Sequence, residues 1–220
     1  MLGHIDDQKQ SISRMIPVDN IVKWPQLGDD PFVKGNTDDA HLDWFGDLTE
    51  FEIGTGFRLA AEAAIQMAID KPTYYGARDN LVYPAGYLYR HYLELRLKHF
   101  VDRATEYLSC NQINCGRNNQ HNLSWWWDTA RDLIGQVWPE SITYDHGVVE
   151  AVIRRFHELD RTGDGFRYKD SLRGARNLQN APRVISYSNL LEVMQKTTSF
   201  FDEICLGIEE LLDRKRDHED

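Results

Sequence analysis

Cysteine is scarce in this chain. Of its 220 residues only Cys110, Cys115 and Cys205 are thiols, an odd number without a framework spacing. A disulfide-stapled secreted scaffold is therefore excluded, and a reducing compartment is expected. Long apolar runs are also missing. No stretch approaches the roughly 20 residues that cross a bilayer, and "MLGHIDDQKQ" lacks the charged-then-apolar build of a signal peptide. The expectation is a cytoplasmic chain without membrane contact. Sustained apolar–polar alternation does not occur, which argues against strands. No Gly-rich phosphate loop, nucleophile elbow or His-Glu-x-x-His helix is found.

Positive charge is in deficit. Twenty-five Lys and Arg face 35 Asp and Glu, a formal charge of −10. Such a field repels polyphosphate, so it disfavours RNA as a partner of the surface as a whole. One segment runs against this trend. Arg154, Arg155, Arg161, Arg167, Lys169, Arg173, Arg176 and Arg183 fall close together.

What the chain does have is helical periodicity and aromatic bulk. Ten Tyr, nine Phe and six Trp supply large packing surfaces. Residues 1–48 show no period. They read as an irregular arm whose Trp24, Phe32, Trp44 and Phe45 dock on the body, with a short helix near Asp39–Gly46. From residue 49 to 220 five helices follow. "EFEIGTGFRLAAEAAIQMAID" carries Phe57, Ala61, Ala64, Ile65 and Ala68 at helical spacing. In "NLVYPAGYLYRHYLELRLKHFVDRATEYLSC", Tyr89, Leu93, Leu97, Phe100, Ala104 and Leu108 form one stripe, and Pro84 suits a first turn. "NLSWWWDTARDLIGQVW" begins with Asn122 or Ser124 as its cap. Three consecutive tryptophans fan around a helix, so two of them should pack inward. "DHGVVEAVIRRFHELD" and "SYSNLLEVMQKTTSFFDEICLGIEELLDRKR" complete the set, followed by a solvated tail. Complementary apolar stripes on long helices predict an all-α bundle.

Three constellations carry candidate chemistry. In "DRTGDGFRYKDS", Asp160, Thr162, Asp164 and Gly165 match the start of a calcium loop, but the twelfth position is Ser171 where a bidentate Glu is needed, and Arg167 stands beside the site. A Gly-rich turn ending the fourth helix fits the same residues. Cys110, Cys115 and His121 offer three zinc-type ligands without a fourth or a familiar spacing. No metal and no cofactor is assigned. On the second helix Tyr87, His91, Glu94 and Lys98 share one face, with Arg90 a turn before Glu94. In a cleft, His91 and Glu94 would make an acid–base pair; on the surface, they would be a solvated helix face.

"YLYRHYLELRLKHF", "QHNLSWWW" and "FHELDRTGDGFRY" together resemble the HEPN-like group of prokaryotic helical proteins. The matching positions are His91, Glu94, Leu95, Leu97 and Lys98, then His121, Asn122 and Leu123, then Phe166, Arg167 and Tyr168. The resemblance covers roughly residues 55 to 215. It implies a four- or five-helix bundle, often dimeric, serving antiphage defence, toxin–antitoxin, stress-response or RNA-processing systems. Active members cut RNA without metal, using an Arg and a His a little over one turn later on a late helix. Here Arg154 and His157 are too close, Arg90 and His91 are adjacent, Arg117 and His121 precede the third helix, and Arg214 and His218 sit in the tail. The resemblance therefore implies a non-catalytic interaction protein with a protein partner or a second copy of itself. The alternative is a metal-independent ribonuclease with a degenerate site of Arg90, His91, Glu94 and Arg167, with Lys98, His121 and Tyr168 as binding residues. Arg167 is expected to pair with a buried Glu94, because a guanidinium fork orients a carboxylate strongly.

Overall fold

The computed structural model describes residues 48–71, 76–111, 113, 116–139, 146–171 and 173–219, with isolated positions 27, 29–32, 40 and 42 before them. The described residues form helices α1 (Glu50–Asp70), α2 (Ala77–Tyr107), the single turn α3 (Gly116–Asn119), α4 (Leu123–Val137), α5 (Gly147–Leu159) and α6 (Tyr187–Glu219). Among them there is one isolated bridge, Asp170 to Arg176, and no named strand. The all-α bundle expected from the apolar stripes is the fold observed. No described helix is long and apolar enough to cross a membrane.

The helix ends follow from local chemistry. Thr49 caps α1: its Oγ1 accepts from Phe51 N at 3.1 Å, and Glu52 Oε2 reaches back to Thr49 N at 2.9 Å. Asn122 caps α4, accepting from Trp125 N at 3.1 Å. Two boundaries differ from expectation. Helix α2 begins at Ala77, behind the left-handed Gly76, so Pro84 lies within the helix and not in its first turn. The missing N–H removes one bond near the start of the helix, and packing along the remaining turns outweighs it. Helix α6 runs through the charged tail to Glu219, where Arg214 to Glu210 and Arg216 to Asp213 pair along its surface.

Helix α2 is the axle. Its 31 residues span roughly 46 Å, and it packs on α1, α4 and α6. Tyr89, Leu93, Leu97, Phe100 and Ala104 are fully buried along it. Trp127 from α4, Ile153 from α5, and Phe201 and Ile208 from α6 complete the core. As anticipated, two of the three tryptophans, Trp126 and Trp127, are buried, and Trp125 is half-buried. Arg96 fastens α1 and α6 to the axle: its guanidinium donates to Phe51 O at 3.2 Å and Thr55 Oγ1 at 2.9 Å, meets Asp202 at 3.4 Å, and lies 3.5 Å above the Phe51 ring. Of the arm aromatics, Phe32 is exposed rather than docked. Trp24, Trp44, Phe45 and the Asp39–Gly46 helix lie outside the described residues.

Candidate functional site

The candidate site residues fall into two groups on α2, one turned toward α4 and one toward α1. Tyr87, His91, Glu94 and Lys98 lie on one side of α2, and the neighbouring elements divide them: Glu94, with Arg90 and Lys98, meets His121, whereas Tyr87 and His91 meet Phe57.

The first group centres on Glu94. Its carboxylate is buried and takes three partners: Arg90 Nη1 one turn before, Lys98 Nζ at 2.7 Å one turn after, and His121 Nδ1 at 2.9 Å from the start of α4. Burial by itself would raise the Glu94 pKa. The Lys98 hydrogen bond and the Arg90 and Lys98 charges outweigh burial and hold it below the ordinary carboxylate range. Arg90 is equally buried. Its Nη2 donates to the backbone carbonyl of His121, its Nε donates to Asp160 O at 3.4 Å, and Asp160 Oδ2 stands 3.8 Å away. One guanidinium thus ties α2 to the head of α4 and to the end of α5.

The segment after α5 closes over this lock. Asp160 Oδ1 accepts from Gly163 N at 2.7 Å. Gly163 has φ +84°, and a Cβ there would lie 3.3 Å from Arg90 Nη1, so glycine is required on both counts. Phe166 then packs against Gly86 of α2, where a Cβ would approach its ring to 2.5 Å. The glycines that suggested a calcium loop serve this close approach. Asp160 is 2% exposed and committed to Arg90 and Gly163, and Thr162 bonds Asp164. The turn reading of residues 160–167 holds. Of the three zinc-type ligands, His121 has Nδ1 engaged by Glu94 and Nε2 open; Cys110 is exposed, and Cys115 lies outside the described residues.

The expected Arg167–Glu94 pair is not formed. The arginine on Glu94 is Arg90, from the same helix, while Arg167 is surface-exposed and donates from Nε to Gly163 O at 3.0 Å. The His91–Glu94 acid–base pair is not formed either. His91 packs edge-on against Phe57 at 4.5 Å and stacks on Tyr87 at 5.9 Å with the planes 6° apart. Burial pushes its pKa down, with Arg90 and Lys98 adding to the effect. His91 instead belongs to the second group, a stacked ladder. The Arg167 guanidinium lies 5.1 Å from the Tyr87 ring and 5.4 Å from the Tyr168 ring, so His91, Tyr87, Arg167 and Tyr168 follow one another outward from α1 to solvent.

An open cleft of ≈ 590 Å³ lies beside the first group, walled by Lys98, His121, Gln120, Trp126, Glu50 and Asp102 among others. His121 is 58% exposed there, with the buried Glu94 behind it as orienter. Lys98 Nζ lies 5.7 Å from the Trp126 ring. Of the proposed catalytic and binding residues, His121 and Lys98 line this cleft, whereas Arg90 and Glu94 are sealed beneath it.

Sequence reasoning placed Tyr87 beside His91 but missed Phe57 as its packing partner, and it missed Asp160 as an Arg90 partner. A signal for the last was present: Asp160 ends α5 ahead of two glycines, the composition of a tight return. Among the described residues no group of three His, Cys, Asp or Glu is arranged to hold a metal ion.

Fold and site together define an all-α bundle built around a buried ionic lock. Compared with known families, curated proteins and solved structures, the chain matches none.

Proposed function

We propose that this chain is a non-catalytic, cytoplasmic HEPN-like helical interaction protein. In this reading it works through protein contacts, as a homodimer or as one subunit of a prokaryotic defence, toxin–antitoxin or stress system, with residues 49–220 as the bundle and 1–48 as its arm. The observation that carries the reading is the state of Arg90 and Glu94. Each is 1% exposed and spent on the other, on His121 and on Asp160 or Lys98. A guanidinium without a free donor face cannot clamp a phosphate, and a carboxylate held ionised by Arg90 and Lys98 is a poor proton acceptor.

One observation favours a second reading, metal-independent RNA cleavage. His121 faces an open cleft beside Lys98, with Nδ1 fixed by a carboxylate, an arrangement that leaves Nε2 for proton transfer. Incubating the protein with labelled total RNA in chelator separates the two. The interaction reading expects no cleavage, together with a self-associated or partner-bound species by sedimentation. Cleavage that persists in chelator and disappears in His121→Ala overturns it.

A further inference from the structure

Nearly every arginine on the helices of this protein is neutralised. Arg58 meets Glu62, Arg103 meets Glu209, Arg131 and Arg154 share Glu150 and Asp128, Arg155 meets Glu158, Arg214 meets Glu210 and Arg216 meets Asp213. The connection between α5 and α6 is different. Arg161, Arg167, Lys169, Arg173, Arg176 and Arg183 are all exposed, and none lies within 4.0 Å of a described carboxylate. Between residues 161 and 186 these six cations face only two acids. One of the two, Asp164, is bonded to Thr162, and the other, Asp170, sits opposite Arg176 without an ion pair.

This connection is built. Lys169 O accepts from Asn177 N at 2.9 Å, Tyr168 O accepts from Asn177 Nδ2 at 2.9 Å, and Ser171 N donates to Ala175 O at 2.8 Å. The result is a small antiparallel return that carries Arg173 at its tip, where Gly174 takes φ +77°. Its foot is the stacked ladder. Tyr168, the outermost ring, is 60% exposed, with Arg167 fixed beneath it between two tyrosines. An aromatic face open to solvent, backed by a guanidinium and set in a connection whose other exposed cations have no described carboxylate partner, meets two requirements at once. Planar arginine forks match phosphate oxygens, and the tyrosine offers a surface on which an unpaired base stacks.

We propose that the 161–183 connection is a binding site for single-stranded nucleic acid, with Tyr168 as the base platform and Arg161, Lys169, Arg173, Arg176 and Arg183 on the phosphates. An acidic protein segment would satisfy the cations but would leave the Tyr168 face without a partner. The overall negative charge does not forbid the site. At about 0.1 M salt, charges more than roughly 10 Å away are largely screened, so the local cations set the local field. The proposal goes beyond protein interaction and is independent of the His121 cleft.

The test is fluorescence anisotropy of the full chain with labelled single-stranded RNA, single-stranded DNA and duplex DNA of equal length. Four to six phosphate contacts weaken single-strand binding roughly 50- to 300-fold between about 50 and 200 mM salt. Arg173→Glu with Arg176→Glu loses affinity and lowers the salt slope by about 1.4. A control with the same charge change on α6, Lys196→Glu with Arg214→Glu, keeps both. Tyr168→Ala weakens single-strand binding about 5- to 150-fold, and Tyr168→Phe restores it; duplex binding does not respond to either. Preference for RNA or DNA names the natural strand. No single-strand binding at low salt, equal loss in the α6 control, indifference to Tyr168→Ala, or polyglutamate competing as well as the oligonucleotide overturns the proposal.

Discussion

Arg90 donates to Glu94 one turn along α2, and both side chains are buried. The pair is short-range in sequence but long-range in effect, because the same guanidinium holds the backbone of His121 and the end of α5 at Asp160. The ionic centre therefore fixes where α4 and α5 meet the axle.

Removing one side of this pair leaves a buried charge. Glu94→Gln is expected to destabilise the fold by about 3 kcal/mol, the low end for a broken buried pair, because Asp160 remains near Arg90. Arg90→Met combined with Glu94→Leu should cost less than Glu94→Gln, since the pair leaves together and only Asp160, which keeps its Gly163 N–H bond, loses its cation. Urea unfolding of the three proteins checks the order. A double variant weaker than the single would show that the contacts to His121 and Asp160 matter more than the charge pair.

Gly86 and Phe166 form a size-matched contact. Gly86→Ala should displace Phe166 and release residues 160–168, seen as faster amide exchange at Gly163 and loss of at least 1 kcal/mol. Phe166→Ala in the same chain should recover part of that loss, since the added methyl then has room. Additive losses in the double variant would deny the coupling.

Acid should destabilise the bundle in two stages. Burial chiefly depresses the pKa values of His91, His99 and His157 from the ordinary 6.5. The unfolded chain therefore takes up these protons first, and stability falls as pH drops through about 6.5. Glu209, lowered mainly by its Arg103 hydrogen bond, and Glu94 lie below the ordinary 4.5. Their stabilisation is present above 4.5 and is lost as pH falls through the depressed folded values. The urea midpoint should thus decline from pH 7 to 5 and again below 4.5. A midpoint that is flat or rising over the first interval would contradict the buried, neutral imidazoles.

Cys205 is buried in α6, and burial pushes its thiol up to about 12. Iodoacetamide should label Cys110, which is exposed, and leave Cys205 intact until denaturant is added. Peptide mass mapping reads the difference. Native labelling of Cys205 would place that face of α6 in contact with solvent.

Helix α1 was legible to the residue from its apolar spacing, and the Thr49 cap and acidic first turn of the structure agree with it. The inward pair of tryptophans was equally legible, while the cap of α4 was left between Asn122 and Ser124 and the structure selects Asn122. Along α2 the periodicity disclosed that positions 90, 94 and 98 share a row, and so that Glu94 stands between two cations. It did not disclose which residues from elsewhere complete the row. The expected donor, Arg167, lies two residues beyond Gly165, in a turn whose direction depends on how closely Gly163 and Gly86 let it approach α2.

The sequence by itself determined the helices, the buried stripe and the acidic character with one basic segment, because these are local or compositional properties. Tertiary structure alone decided that His121 rather than His91 meets Glu94, that Asp160 turns inward to Arg90, and that the cations after α5 remain unpaired while most described arginines on the helices are neutralised. Those outcomes depend on which elements face each other. A contact across the bundle is set by the summed packing of whole helices, which no single spacing in the chain records.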